Sequence, residues 1–382
     1  MFDQIIEFIR SLYPGMESIP LHAPVFAGNE KKYLADCIDT TYVSYVGEYV
    51  NRFEQMICAY TGCRFAVAVV NGTCALQTAL YLAGVRANDE VLTQALTFVA
   101  TANAITHAGA VPVFIDSEKE RLGMNPAILE SFLKDHAVKK SEGCFNRITG
   151  RKIACCVPVH IFGHPAFITE INEICSRYHI PVIEDAAESI GSRLEGKHTG
   201  TFGLAGILSF NGNKTITTGG GGMIITDNEN IALQARHLTT TAKVKHPWDF
   251  YHDQPGFNYR MTNVCAAIGC AQMEKIDLIL GKKRAIAEAY KSFFSKLGIN
   301  FFTEKPGCVT NYWLNTILLA NREERDLFIE YSNSWKVTTR PAWVLMHKLP
   351  MYKDCLHIGL HTAQWLEDRI VNIPSSVPPI NE

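Results

Sequence analysis

From Phe65 onward the sequence alternates short, almost purely apolar runs with stretches of helical spacing, and this alternation constrains the architecture more than any other feature. The runs are Phe65–Val70, Glu90–Thr93, Val111–Asp116, Ile153–Val159, Pro181–Asp185, Gly206–Phe210 and Met223–Thr226. Between them, Thr73–Ala83, Val99–Ala108 and Ile168–Tyr178 carry helical patterns. A strand with one wet face alternates apolar with polar residues, so runs this apolar are covered on both faces. The expected fold class is α/β, with a mostly parallel sheet flanked by helices. The polar, glycine-punctuated segment Lys139–Lys152 reads as an exposed loop or hairpin.

The flanks divide the chain further. Phe2, Ile5, Ile6, Phe8, Ile9 and Leu12 space like one face of a helix that stops near Pro14-Gly15. Residues 1–20 are read as a helical arm packing on the body or on a partner chain, residues 21–262 as the large domain, and residues 263–382 as a smaller C-terminal α/β domain. A net charge of -2 gives no electrostatic footprint for nucleic acid. No apolar run approaches the ~20 residues that span a bilayer, and Asp3 and Glu7 in the first helix do not suit a signal peptide. The twelve cysteines show neither a paired CxxC nor a zinc spacing. Unpatterned thiols in a chain this long point to a reducing compartment, the cytoplasm, and to no metal.

The chemistry centres on Lys214. It follows the run Gly206–Phe210 and precedes Gly219-Gly220-Gly221-Gly222, after which a second run begins, so it sits in a turn between two strands. The small residues allow close approach of backbone or ligand. A lysine there suits a Schiff base with a carbonyl cofactor; the plainer alternative is a solvated surface lysine. Three other places bear on the choice. At Asn71-Gly72-Thr73 a strand turns into a helix, which makes either a phosphate site or an ordinary N-cap. Phe98 opens a helix just after a strand, where it either stacks on a flat ring or joins the core. Asp185 closes a buried strand, where it either caps a turn or holds a pyridine nitrogen protonated. The polar tip Gly256–Thr262 is either a plain loop or a phosphate donor. Taken together these groups supply what pyridoxal 5′-phosphate needs: an amine, an acid, a ring face and phosphate donors.

In these motifs the chain resembles the DegT/DnrJ nucleotide-sugar aminotransferases. The residues concerned are Asn71-Gly72-Thr73, Thr97 to Asn103, Glu184-Asp185-Ala186-Ala187-Glu188, Gly196 to Gly203, Ser209 through Lys214 to Gly222, and Gly256 to Met261. The resemblance implies fold type I of the pyridoxal-phosphate-dependent transferases. It places Lys214 as the Schiff-base lysine and Asp185 at the ring nitrogen. It stacks Phe98 on the ring and puts Gly72, Thr73 and Ser209 on the phosphate. Glu188 comes near the phenolic oxygen, where many relatives carry histidine. Asn258 reaches the neighbouring subunit's phosphate, which makes a homodimer with interfacial sites. The implied reaction moves an amino group from L-glutamate to a nucleotide-linked 4-keto-6-deoxy sugar. General likeness of Pro20–Glu30, Val43–Gly47 and Val159–Pro165 to bacillosamine and legionaminic acid enzymes suggests UDP-2-acetamido-2,6-dideoxy-4-keto-glucose as that sugar. A dTDP- or GDP-linked keto sugar aminated at carbon 3 or 4 is the alternative. Related sugar dehydratases carry histidine where this chain has Lys214, and a non-catalytic relative would have no need of the lysine-aspartate pair. His160, His164, Lys243, Lys245 and Arg260 are further candidates for sugar or diphosphate, each with an equally simple structural reading.

Overall fold

The structure is a computed structural model that describes residues 1–378; the last four residues of the span read as the smaller domain, 379–382, lie outside it. Its eight principal strands are β1 (Phe65–Val69), β2 (Glu90–Gln94), β3 (Val111–Ile115), β4 (Lys152–Val157), β5 (Ile183–Asp185), β6 (Ala205–Ser209), β7 (Gly222–Thr226) and β8 (His357–Ile358). Ladder pairings give the blocks β1-β7-β6-β5 and β8-β3-β2-β4. Parallel bridges Cys156↔Val182 and Val159↔Asp185 join β4 to β5. The result is one continuous sheet, β1-β7-β6-β5-β4-β2-β3-β8. Within it only β7 runs against its neighbours, pairing antiparallel with both β1 and β6.

Every residue of β2, β5, β6 and β7 is buried, as expected for strands covered by helices on both faces. On one side, Val67, Val69, Leu80, Ile105, Val157, Ile183 and Ile224 make a common core beneath the helices Gly72–Leu82 and Val99–His107. On the other, Phe53, Ile57, Phe210, Met223 and Cys270 pack together, which seats Asn263–Met273 against the helices Glu30–Asp39 and Glu48–Thr61. The segment read as a loop or hairpin is a hairpin: Ala137–Lys140 pairs with Gly143–Asn146, which in turn pairs with the start of β4.

The helix Ile276–Leu297 leads to a small antiparallel sheet, ordered Asn300–Phe301, Asn315–Leu318, Ile370–Ile373, Arg340–Pro341. The first helix, Phe2–Leu12, docks here. Its Ile5, Ile6 and Ile9 share a core with Tyr290, Phe294, Phe328 and Val371, so the N-terminal arm packs on the body next to the C-terminal elements. Among the described residues no helix is long and apolar enough to cross a membrane.

Candidate active site

The carboxyl ends of β1, β5 and β6 converge on one cavity lined by Asn71, Gly72, Thr73, Phe98, Asp185, Ser209, Asn211 and Lys214. All eight come from stretches singled out in the sequence, and the reason is topological. Ligands of open α/β sheets sit beyond the carboxyl ends of the strands, where each chain turns into a helix or loop.

Asn71 caps the helix Gly72–Leu82 by accepting from Cys74 N at 2.8 Å, so this helix begins one residue before the expected Thr73. The cap leaves the N–H groups of Gly72 and Thr73 facing the cavity end of the helix, where the dipole favours an anion. A Cβ on Gly222 would lie 2.4 Å from Asn71 C and O, and one on Gly72 would lie 3.2 Å from Ser209 Cβ. The last glycine of the tetraglycine run thus lets the Asn71-Gly72 turn lie directly on β7. A cradle of N–H groups and a hydroxyl, walled too tightly for extra side chains, fits a phosphate.

Asp185 ends β5 and is only 6% exposed. Its Oδ2 accepts from Thr101 Oγ1 at 2.8 Å and its Oδ1 from Ala187 N at 3.2 Å. Burial pushes the Asp185 carboxyl up, against the lowering effect of the Thr101 hydroxyl, the Ala187 N–H and the Lys214 charge. A buried carboxylate of this kind is stabilised by a protonated ring nitrogen. Phe98 is not a core residue: it is 49% exposed at the cavity mouth, its ring centroid 6.0 Å from that of Trp343.

Lys214 is not a solvated lysine either, its side chain being only 11% exposed. Its Nζ lies 4.0 Å from the Trp313 ring centroid and 3.7 Å from Glu188 Oε1. Burial is the main influence and pulls the ammonium down, with Glu188 and Asp185 opposing it. The turn is held from outside: Trp313 Nε1 donates to Asn213 O at 2.7 Å, and Asn311 Nδ2 donates to Thr215 Oγ1 at 3.2 Å. Glu188 is 4% exposed and accepts from Phe162 N at 2.8 Å. Burial pushes its carboxyl up to about 7, with the Lys214 charge the largest opposing influence.

Other candidates fall outside the cavity. Asn258 is exposed on this chain and does not line it. His160 is fully buried, bonded to Glu184 at 2.9 Å and to Ala166 N at 3.0 Å. His164 is buried against Phe302 and Tyr312. Arg260 is buried in an ion pair with Glu54 at 2.9 Å, so the structural reading holds for all three. Sequence reasoning missed Thr101 as the partner of Asp185, and missed Trp313. The Thr101 signal was available, since it lies in the first turn of the helix after Phe98. Trp313 is a hundred positions from the Asn213 carbonyl it holds, and no local pattern announces it.

A buried lysine in a turn, a carboxylate at a strand end and a cradle of N–H groups, on a mixed sheet of this order, match what a pyridoxal-phosphate-dependent enzyme needs. Solved structures share the fold. Helicobacter pylori PseC, an aminotransferase involved in the biosynthesis of pseudoaminic acid, matches with a TM-score of 0.83 at 21% identity, over 94% of this chain and 93% of that one. DesI, solved in the presence of its TDP-sugar product, matches with a TM-score of 0.83 at 23% identity, over 97% and 91%. The DegT/DnrJ/EryC1/StrS aminotransferase family model matches residues 25–379. Curated relatives include the GDP-perosamine synthase of Escherichia coli O157:H7, 36% identical over 368 residues, 96% of each chain. The GDP-perosamine synthase of Vibrio cholerae is 36% identical over 363 residues, 94% of each. The chain belongs to the DegT/DnrJ/EryC1/StrS family and is an aminotransferase dependent on pyridoxal 5′-phosphate.

Proposed function

We propose that this enzyme transfers an amino group from L-glutamate to a GDP-linked 4-keto-6-deoxy sugar. The observation that carries the reaction class is the meeting of Lys214 and Asp185 in one cavity beside the Gly72-Thr73-Ser209 cradle. The choice of GDP over the UDP-linked sugar suggested by general sequence likeness rests on the names of the curated relatives. Bound pyridoxal 5′-phosphate supplies an electron sink for the charge left when a carbon acid loses its proton.

The chain's own residues do the rest. The N–H groups of Gly72 and Thr73 and the Ser209 hydroxyl hold the phosphate, Phe98 covers the ring face and Asp185 pairs with the ring nitrogen. Glu188, facing Lys214, comes near the phenolic oxygen. The neutral Lys214 amine, once free, takes the α-proton of L-glutamate at Nζ and holds it for return, a general base and then an acid. Burial lowers its basicity, which makes that neutral form easier to reach than for an exposed lysine. The same group serves in the opposite direction for the keto sugar, after 2-oxoglutarate has left.

The proposal includes a cytoplasmic homodimer in which Asn258 reaches the cofactor phosphate of the neighbouring subunit. Trp248, Phe250 and Tyr251, on the same loop as Asn258, are 77%, 81% and 64% exposed on the single chain, a surface suited to burial against a second copy. The test is a visible spectrum of the purified protein before and after L-glutamate, followed by GDP-, UDP- and dTDP-linked 4-keto-6-deoxy sugars. A cofactor band that glutamate bleaches and the GDP-linked sugar restores supports the whole reading. Restoration by the UDP-linked sugar alone would overturn the nucleotide assignment, and a band indifferent to glutamate would overturn the donor.

A further inference from the structure

Next to the cofactor cavity is a second pocket of about 360 Å³ between the large sheet and the small one. The two adjoin: Trp313, whose ring Lys214 Nζ approaches to 4.0 Å, forms one wall, and Trp343, the neighbour of Phe98, forms another. The polar side chains lining the second pocket are His22, Asn213, Arg340 and Asn372, and none of its lining residues is acidic. Arg340 is placed by the edge strand Arg340–Pro341, where it lies opposite Asn372 in register. Its guanidinium donates weakly to two neutral oxygens, Asn333 Oδ1 at 3.4 Å and Thr339 O at 3.3 Å, and it forms no ion pair among the described residues. His22 Nδ1 is buried without a hydrogen-bond partner. Lys283, close enough to act on the His22 ring, is buried and, among the described residues, donates to the carbonyls of Trp313 and Ser375. Cations and neutral donors without a carboxylate make a local field that concentrates anions.

Two anions belong to the proposed reaction, the diphosphate of the sugar nucleotide and the carboxylates of the amino donor. Distance from the reacting carbon separates them. In a sugar aminated at carbon 4 the whole hexose ring stands between that carbon and the diphosphate. In an α-amino acid the first carboxylate is one bond from the reacting carbon. A pocket one indole away from Lys214 lies within reach of the far carboxylate of a dicarboxylic donor, whose first carboxylate stays beside the reacting carbon. A guanidinium whose fork is not engaged by another carboxylate is well suited to a bidentate pair with one.

We propose that this pocket binds the far carboxylate of a dicarboxylic amino donor, with Arg340 as the ion-pairing group and His22 and Asn372 beside it. The inference rests on the aminotransferase reading above and adds the residues that select the donor. Arg340 is exposed and lightly tied, so Arg340→Met and Arg340→Lys should both fold.

The experiment uses the pyridoxal-phosphate-loaded protein and two readouts. The first is tryptophan fluorescence on titration with glutarate, an unreactive dicarboxylate, because two indoles line the pocket. The second is the rate at which L-glutamate bleaches the cofactor band, with the KM of the nucleotide sugar measured in parallel. Arg340→Met should weaken glutarate binding and raise the half-saturating glutamate concentration at least tenfold. Arg340→Lys should recover part of the loss, and the sugar's KM should stay within twofold. A raised KM for the sugar with unchanged glutamate and glutarate would give the pocket to the nucleotide sugar and overturn the proposal. No change in any of the three would also overturn it. A protein that shows no cofactor band at all would refute the aminotransferase reading instead, a distinct outcome.

Discussion

Glu188→Gln is the substitution that most directly probes the electrostatics around Lys214. The change keeps the shape of the side chain and its acceptor for Phe162 N, and removes only the ionisable oxygen 3.7 Å from Lys214 Nζ. At that distance two unit charges in an effective dielectric of about 20 interact by about 4 kcal/mol. The full value is not available, because burial pushes the Glu188 carboxyl up to about 7 and leaves it only partly ionised near neutrality. Part of the interaction, about 1.5 to 3 kcal/mol, corresponds to a ten- to hundredfold fall in the proton affinity of Lys214 when the carboxylate is removed. The sign follows from the pair: a carboxylate favours the ammonium, so its loss favours the neutral amine. Cofactor uptake requires that neutral amine. The rate of appearance of the visible band, measured against pH with pyridoxal 5′-phosphate in excess, should therefore keep its plateau and shift its acid limb down by about one to two pH units. An acid limb that stays in place, or moves up, would refute the idea that Glu188 sets the protonation of Lys214.

Asp185→Asn should leave the fold intact and slow both half-reactions by about two orders of magnitude or more, read by single-turnover absorbance; near-native rates would remove Asp185 from the ring nitrogen. Gly222→Ala drives a Cβ to 2.4 Å from Asn71 C and O, so it should lower both the melting temperature and the retained cofactor; a fully loaded variant would show that the cradle tolerates the shift. Lys283 has its folded-state pKa pulled by burial from 10.5 to about 7, so it opposes folding below pH 7 and that opposition fades as pH rises towards 10. Lys283→Met removes this slope but deprives the Trp313 and Ser375 carbonyls of a donor, at about 1 to 3 kcal/mol. The variant should be more stable than the wild type at pH 6 and less stable at pH 10; parallel melting curves across that range would contradict the argument.

Seven strands of the main sheet were legible because full burial writes continuous apolar runs, and each observed strand falls within a residue or two of its run. The candidate residues on the turns after those runs were legible for the same reason, since the fold gathers strand ends. What had no local signature was pairing at long range. The strand His357–Ile358 joins the large sheet beside β3, although the sequence reading gave it to the smaller domain. Trp313 and Arg340 reach the neighbourhood of Lys214 only through the docking of the small sheet. His160 was ambiguous because its partner, Glu184, is a buried carboxylate that also accepts from Gly200, Phe202 and Gly203 N–H groups. A glutamate beside an aspartate on one strand gives no hint of which faces the cavity. The nucleotide was not legible at all. General likeness of Pro20–Glu30, Val43–Gly47 and Val159–Pro165 suggested UDP, whereas two curated relatives are named GDP-perosamine synthases.

The antiparallel strand β7 has a consequence for how the molecule is made. The first strand of the sheet, Phe65–Val69, finds its partner only in Gly222–Thr226, about 160 residues later in the chain. At a synthesis rate of roughly 5–20 residues per second, the edge of β1 waits about 10 to 30 seconds on the ribosome before it can be covered. Neither the phosphate cradle nor the lysine turn exists until β7 has arrived between β1 and β6. The cofactor therefore cannot guide the early chain and can only lock a sheet already closed. An apolar strand edge exposed for that long is a natural client for a chaperone.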